Sequence, residues 1–292
     1  SYALSAGLFH EDGVSRFAND EYSRKTLNGQ INVHPLPWLK AGLITKYVGG
    51  HSSNPNGKIV NRLAPTLPLH NPLGGYFLSS NIPQTIAQTE TDDAAKWVLS
   101  PSIAIEPVQN WVTTVQYNYT YTNSTQAITN GTSYEIEPDS TKKGTNQNGT
   151  NYSSSMMRTI YQSPTLTSNY HRQVGNHYFV ALIGFQEELE TVFGLNGKNT
   201  YLLTDNIPSI STAVGVASVD DSKSHWATQS VFGRLNYNYK DKYLLEANVR
   251  RDGSSRFAKG SRWGTFPSVS LGYNIAKEAF FPFKEQISMM KF

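Results

Sequence analysis

The chain has 292 residues, no cysteine, and 25 Lys and Arg against 22 Asp and Glu, for a net charge of +3. Without cysteine there are no disulfides, thiolate metal centres or thiol nucleophiles, and so small a positive excess, with no basic run carrying interleaved aromatics, argues against nucleic-acid binding. Charged residues make up only 16% and aromatics 12%, yet the mean hydropathy is −0.44, a mixture that fits strands apolar on one face and uncharged-polar on the other.

Taken from the amino end, period-two alternation predicts strands over 1–10, 21–33 and 38–49. In the second, Leu27, Gly29, Ile31 and Val33 alternate with Asn28, Gln30, Asn32 and His34. Helical periodicity is nearly absent, with one short helical turn expected near 91–96. Strands follow over 97–106 and 111–122, where Trp111, Thr113, Val115, Tyr117, Tyr119 and Tyr121 oppose Thr114, Gln116, Asn118 and Thr120. Further strands are predicted over 163–172, 177–188, 227–239, 243–251 and 265–276, and another is expected to begin at Ile287. The 177–188 segment is apolar on both faces, so its facing is left open. No run reaches the ~18 apolar residues of a membrane-spanning helix, whereas barrel strands need only ~9–11 alternating residues. Ser1 opens directly into an alternating segment with no signal peptide before it, so an exported protein is expected to be processed, or this chain to be part of it.

The connections alternate in length. Short ones at 34–37, 107–110, 173–176 and 240–242 interleave with long ones at 11–20, 50–96, 123–162, 189–226 and 252–264. Tight turns at one end and long loops at the other are the pattern of an up-and-down barrel in an outer membrane. Long structureless loops count against a compact soluble domain. Trp38, Trp97, Trp111, Tyr117–Tyr121, Tyr237, Tyr239, Tyr243 and Trp263 fall near strand ends. The β-propensity of Tyr accounts for any single one, but their grouping beside turns favours interfacial girdles.

No phosphate loop, dinucleotide-binding glycine pattern or zinc-protease motif is present, so no catalytic residue, cofactor or metal ligand is assigned. Asp220-Asp221 with His225 could hold a cation, but an acidic loop is more often simply solvated. Aromatics in or beside the long loops are the candidates for contact with a ligand or with a protein partner: Tyr76, Phe77, Trp97, Tyr134, Tyr152, Tyr201 and Trp226. Packing within the loops is at least as strong a reading for each.

From Ser230 to Phe281 the sequence SVFGRLNYNYKDKYLLEANVRRDGSSRFAKGSRWGTFPSVSLGYNIAKEAFF resembles the SusC/RagA family of TonB-dependent outer-membrane transporters. The resemblance rests on Arg234, Asn236, Tyr237, Tyr239, Asp241–Tyr243, Arg250–Phe257, Trp263, Gly264, Phe266, Pro267 and Ser268 in matching order and spacing. Residues 1–50 are similar to an earlier strand pair of the same family. Read as chemistry, Lys240-Asp241-Lys242 is a tight charged turn, and Asp252-Gly253-Ser254-Ser255 supplies turn residues at the opposite end. Arg234, Glu246 and Arg250 can pair charges across the ladder, so Arg250, Arg251, Asp252 and Arg256 are read as structural, together with Arg234, Tyr237, Asp241, Tyr243, Gly253, Phe257, Trp263 and Pro267.

The expected fold is therefore all-β, an antiparallel up-and-down transmembrane β-barrel segment of about ten strands with long outer loops, and the resemblance implies a whole barrel of roughly 22. Residues 1–292 would be part of one barrel domain, with the plug and the remaining strands outside them. The resemblance implies import of oligosaccharides or peptides, a SusD-like surface lipoprotein as lid, energy from a TonB complex through the plug, and contact with outer-membrane lipid of a Bacteroidetes-like Gram-negative bacterium. Alone, such a segment is expected to fold poorly, because its two edges would carry unpaired backbone groups. Two other readings stand beside this one: a soluble β-sandwich or propeller that binds glycans, and an outer-membrane enzyme or adhesin built on a barrel.

Overall fold

A computed structural model describes residues 1–14, 20–55, 70, 72–76, 82–136, 142–145, 149–283, 285–287 and 289–292. In chain order the strands are β1 (Tyr2–Asp12), β2 (Glu21–Leu36), β3 (Leu39–Pro55), β4 (Gln88–Val108), β5 (Trp111–Asn130), β6 (Ser133–Ile136), β7 (Lys142–Thr145), β8 (Asn151–Val174), β9 (His177–Thr200), β10 (Ser218–Tyr239), β11 (Tyr243–Ser254) and β12 (Trp263–Tyr273). Ten of them form one sheet in the order β1-β2-β3-β4-β5-β8-β9-β10-β11-β12, and β6 and β7 make a separate hairpin. Every neighbouring pair is antiparallel, so the main sheet is a simple meander.

Residues directly opposite one another in an antiparallel pair point to the same face, so the register assigns every side chain to a side. Leu4, Ile31, Leu43, Ile103, Val115, Leu166, Ile183, Leu235, Val249 and Leu271 share one face. Their neighbours on the other face include Gln30, Ser102, Gln116, Thr165, Asn248 and Ser270. The register also settles β9: Phe179, Ala181 and Ile183 align with Tyr237, Leu235 and Gly233 on the apolar face, and Tyr178, Val180 and Leu182 turn to the polar one.

Within the band, nothing among the described residues packs against the apolar face. Among the described residues the only buried apolar side chains are Ile82, Pro83 and Ala276, while Leu8, Ile183, Val269 and Leu271 are each at least 67% exposed. A water-soluble sandwich or propeller requires a second layer to cover such a face, and none is present among the described residues. The face is instead suited to hydrocarbon.

The band is bounded by rings. At the short-turn end Tyr239, Tyr243 and Tyr273 stack in a row, with Tyr243 and Tyr273 5.4 Å apart. Phe179 lies 5.0 Å from Tyr237, whose hydroxyl is 2.8 Å from His177 Nδ1. At the other end Trp97 lies 4.4 Å from Tyr47 and pairs across the ladder with Tyr121. From Trp111 to Tyr121 the chain climbs roughly 33 Å at ~3.3 Å per residue. A strand tilt of ~40° reduces this to roughly 25 Å, the height of an outer-membrane apolar band.

The short turns need unusual backbone. Asn110 and Gly175 adopt φ 69° and 58°, and Lys240 and Asp241 follow each other at 55° and 57°. Left-handed backbone costs a residue with a Cβ roughly 1–2 kcal/mol. At Lys240–Asp241 the Asn238 side chain offsets it, accepting the Asp241 N–H at 2.8 Å and donating to its carboxylate at 2.6 Å.

The structure corrects the expected boundaries mainly at one end. β4, β5, β8, β9 and β10 run well past the segments predicted at 97–106, 111–122, 163–172, 177–188 and 227–239, into stretches read as loop. The helical turn expected near 91–96 is part of β4, and the short helix α1 (Ile82–Ile86) lies before it. Among the described residues no strand begins at Ile287. Residues 290–292 fold back on 273–275, with the bridge Asn274–Lys291 and paired bonds between Tyr273 and Phe292.

Candidate functional site

The polar face carries the chemistry. Above the aromatic ring five long strands continue side by side, and their register aligns Asp92, Gln126, Ser155, Asn196 and Asp220 in one row. The next row down holds Ala94, Ser124, Met157, Gly194 and Ser222. All of these but Ala94 line a shallow depression with a carboxylate at each end and amides and hydroxyls between. Gly194 keeps the floor low, since a Cβ there would stand 2.7 Å from Ser222 Oγ. Gln126 donates to Glu90 at 2.7 Å, which holds its amide beside Asp92.

Below the depression is a hydrogen-bonded cluster. The Tyr161 hydroxyl donates to one oxygen of Glu188 at 2.6 Å and Thr228 donates to the other at 2.9 Å. Trp226 Nε1–H donates to Glu190 at 2.9 Å. The Arg256 guanidinium lies 5.2 Å over the Trp226 ring, and Tyr161 approaches that ring at 6.4 Å. Ser163 and Ser230 are buried beneath. Arg250 donates to Ser230 at 2.9 Å and to Asp252 at 2.7 Å while resting 5.5 Å over Phe232. Phe232 in turn covers Gly184, where a Cβ would fall 2.2 Å from the ring. The strip thus runs from arginine near band height to carboxylates at the rim, and presents hydroxyl, amide and carboxylate groups.

The nominated loop aromatics fall in separate places. Trp226 joins the polar-face cluster. Trp97 does not stand beside a loop: it lies within β4 on the apolar face against Tyr47, because the strand extends further than its alternation reveals. Tyr152 opens β8 opposite Thr129 and Asn199 on the same side as the apolar face. Tyr76 bridges to His70 with rings 4.5 Å apart. Tyr134 stands on β6 and is half exposed. Tyr201 follows β9 at φ 63° with its ring against Gly149. Phe77 lies outside the described residues.

The motif residues are occupied with one another. Arg234 donates to Asn248 at 2.7 Å, and Asn248 donates on to Glu246 at 2.8 Å, so an amide relays between charges expected to pair directly. Register explains it, since Asn248 and not Glu246 stands opposite Arg234. Arg251 lies 5.5 Å over Trp263, and that indole sits so close to Gly253 that a Cβ would come within 2.8 Å. Tyr237 and Tyr243 belong to the turn-end ring, Asp241 to the turn, and Pro267 to the apolar face opposite Val249. Phe257 is exposed and its carbonyl accepts from Arg262 at 3.1 Å. Asp220 and Asp221 point to opposite faces, so they do not converge with His225 on one cation.

Sequence reading missed Glu90, Asp92, Gln126, Tyr161, Glu188, Glu190 and Asn196. A signal exists for β9 alone, where Leu189, Thr191, Phe193 and Leu195 alternate with Glu188, Glu190 and Val192.

Comparison with known proteins places this geometry. The family model described as TonB dependent receptor-like, beta-barrel matches residues 47–283. The TonB-dependent receptor SusC of Bacteroides thetaiotaomicron is 57% identical over 51 residues, which is 18% of this chain and 5% of that protein. The TonB-dependent receptor P26 of Formosa agariphila is 25% identical over 315 residues, covering 100% of this chain and 30% of its own. A solved structure of the RagAB peptide transporter superposes with a TM-score of 0.78 at 17% identity, over 96% of this chain and 33% of that one. At that identity the superposition speaks for the fold. The chain spans no more than 30% of the length of the curated relatives named here.

Proposed function

Since this chain belongs to the TonB-dependent receptor-like β-barrel family, we propose that it forms part of the wall of an outer-membrane nutrient importer, with the polar face lining the passage and the apolar face in lipid. One observation carries the reading: a single apolar face and a single polar face hold register across all ten strands of the sheet, and nothing described in the chain covers the apolar one. The family setting favours a Gram-negative, Bacteroidetes-type outer membrane, energy delivered by a TonB complex through a plug, and a SusD-like surface lipoprotein seated over the upper connections. The depression between Asp92 and Asp220 and the cluster at Trp226 are the surfaces offered to an oligosaccharide or peptide. Nothing in this reading asks the protein to be an enzyme, and the carboxylates of the cluster are held by donors as a fixed lining.

The test is genetic and uses the complete protein. A strain lacking the gene is expected to lose growth on one defined class of glycan or peptide while growing normally on its monomers, and the same loss should follow from removing TonB. The protein should extract from membranes only with detergent and migrate differently when unheated. Undiminished growth on every oligomer tested, or recovery in the aqueous fraction, would sink the proposal.

A further inference from the structure

The tip of the β1–β2 hairpin gathers side chains that neither the band nor the passage uses. His10 and Asp12 stand two apart on β1, and Glu21 is directly opposite Asp12 on β2. One ligand atom from each of the three lies within 4.8 Å of the other two. His10 Nε2 is 3.1 Å from Asp12 Oδ1. Beside them His51 of β3 places Nε2 3.6 Å from Glu21 Oε1 and Nδ1 2.8 Å from Asp93 Oδ1 of β4. The register puts all five on the same side as the apolar face. Glu21 lies beyond Leu27, His51 beyond Tyr47 and Asp93 beyond Trp97, each roughly 13–20 Å further along its strand at ~3.3 Å per residue. They therefore stand clear of hydrocarbon, on the outer rim of the wall.

We propose that His10, Asp12 and Glu21 bind one divalent transition-metal ion of the Zn²⁺ type, and that His51, 3.6 Å from Glu21 and oriented by Asp93, turns in to supply Nε2 as the fourth ligand. Two features support this. Ligand atoms around tetrahedral zinc, at bonds of ~2.0–2.1 Å, stand roughly 3.3 Å apart; His10–Asp12 at 3.1 Å and Glu21–His51 at 3.6 Å are near that value, and the triad as a whole lies within 4.8 Å. Two imidazoles among carboxylates suit zinc and its neighbours, whereas Ca²⁺ and Mg²⁺ prefer oxygen alone.

The His51 arrangement adds an electrostatic argument. With its Nδ1–H given to Asp93, the ring keeps a lone pair on Nε2, and that lone pair faces a carboxylate oxygen. A cation between them turns the repulsion into two bonds, and a carboxylate behind a ligating imidazole is the usual outer partner in metal sites. The rival arrangement is a doubly protonated His51 clamped between Glu21 and Asp93 with no metal. An ion here would lock the hairpin tip to β3 and β4 at the base of the connection leaving β1, and the site does not depend on what the passage carries.

The experiment uses the complete protein, extracted in detergent, free of any polyhistidine tag and stripped with chelator. Titration with Co²⁺ should give visible absorption that saturates at one equivalent and is displaced by Zn²⁺ but not by millimolar Ca²⁺. His10→Gln and Glu21→Gln should each weaken Zn²⁺ binding at least about tenfold. Asp93→Asn, one step removed, should weaken it about tenfold, near the lower end of what loss of such an outer partner costs. Unheated gel migration should remain native in all three variants. Stripped protein that takes up no Co²⁺ or Zn²⁺ would overturn the site and leave the protonated clamp. Uptake that is unchanged in His10→Gln and Glu21→Gln would also overturn it by placing the ion elsewhere.

Discussion

The lower and upper halves of β8, β9 and β10 are the same strands in two solvents. Below the aromatic ring, Leu166, Ile183 and Leu235 lie on the apolar face while Thr165, Gln186 and Asn236 lie on the polar one. Above it, outward positions include Arg158 and Lys223, both over the Phe193 ring at 5.4 and 5.7 Å, and inward positions include Asn196 and Asp220. Hydrogen bonding along the ladder is the same in both halves. What changes is the medium outside, so the apolar alternation records lipid on one side and is not a property of the strand itself.

The sharpest way to break that comparison is to place one charge at two heights on one face of one strand. Ile183 and Leu195 both point outward from β9. Ile183→Arg, within the band, should destabilise the complete protein by ~2–4 kcal/mol, whereas Leu195→Arg above it should cost ~0–1 kcal/mol. Urea titration in lipid vesicles measures both. Equal costs would mean that the band is misplaced.

The same contrast explains what could be read beforehand. Where one side is lipid, alternation such as Leu27, Gly29, Ile31 and Val33 exposes the strand, and the short turns and the Ser230–Phe281 motif fix direction and family. Above the ring both sides are water, so 151–162 and 218–226 lose their period and read as loop even though the ladder continues. The site suffers most. The row Asp92, Gln126, Ser155, Asn196 and Asp220 comes from five strands whose register no local pattern states. Trp226 was visible because a large aromatic in a polar stretch is conspicuous. Its partner Glu190 was hidden among ordinary acidic residues. The pairing of His10 with Glu21 likewise needs the hairpin register, which a long connection does not specify.

Packing supplies a smaller effect, again differing with height. Gly184 in the band lies under Phe232, and Gly194 in the rim lies under the Ser222 hydroxyl. Gly184→Ala forces a rigid ring to move and should cost ~1–3 kcal/mol. Gly194→Ala meets a short side chain that can rotate away, so its effect on the urea midpoint should be several-fold smaller. The proposed passage gives it a second readout, since a raised floor should raise the half-saturating substrate concentration of uptake without changing insertion.

Trp226→Phe tests whether the rim cluster contributes to the fold or to the lining. It removes the donor to Glu190 and keeps an aromatic plane beneath Arg256. A hydrogen bond to a charged group contributes ~1.5–3 kcal/mol when desolvated, but this one is only partly buried on the polar face and solvent screening reduces it. The expected result is a global stability within ~1 kcal/mol of the parent, faster amide exchange confined to the upper parts of β9 and β10, and weaker uptake. A stability loss matching that of Ile183→Arg would show that the rim holds the band together.

The least effect is expected at the opposite end, where Lys242 in the β10–β11 turn donates to Glu278 at 2.8 Å and ties that turn to the 3-10 segment Ile275–Lys277 and its cap. The hydrogen bond with Lys242 holds the Glu278 carboxyl below its ordinary value, and the same bond raises Lys242 above its own. For Glu278 the sign is that of a depressed acid: its stabilisation is present above the ordinary carboxylate range and is lost as pH falls through the folded value. For Lys242 the contribution is complete below the ordinary lysine range and is lost as pH rises through the raised value. Glu278→Gln should therefore have a lower urea midpoint than the parent between about pH 5 and pH 10, with the two curves converging on the acid side. Rim variants such as Trp226→Phe should not alter that convergence, because the two ends of each strand are separated by the full height of the band. A Glu278→Gln curve that stays parallel to the parent into acid would show that the turn is held by its backbone and Asn238 alone.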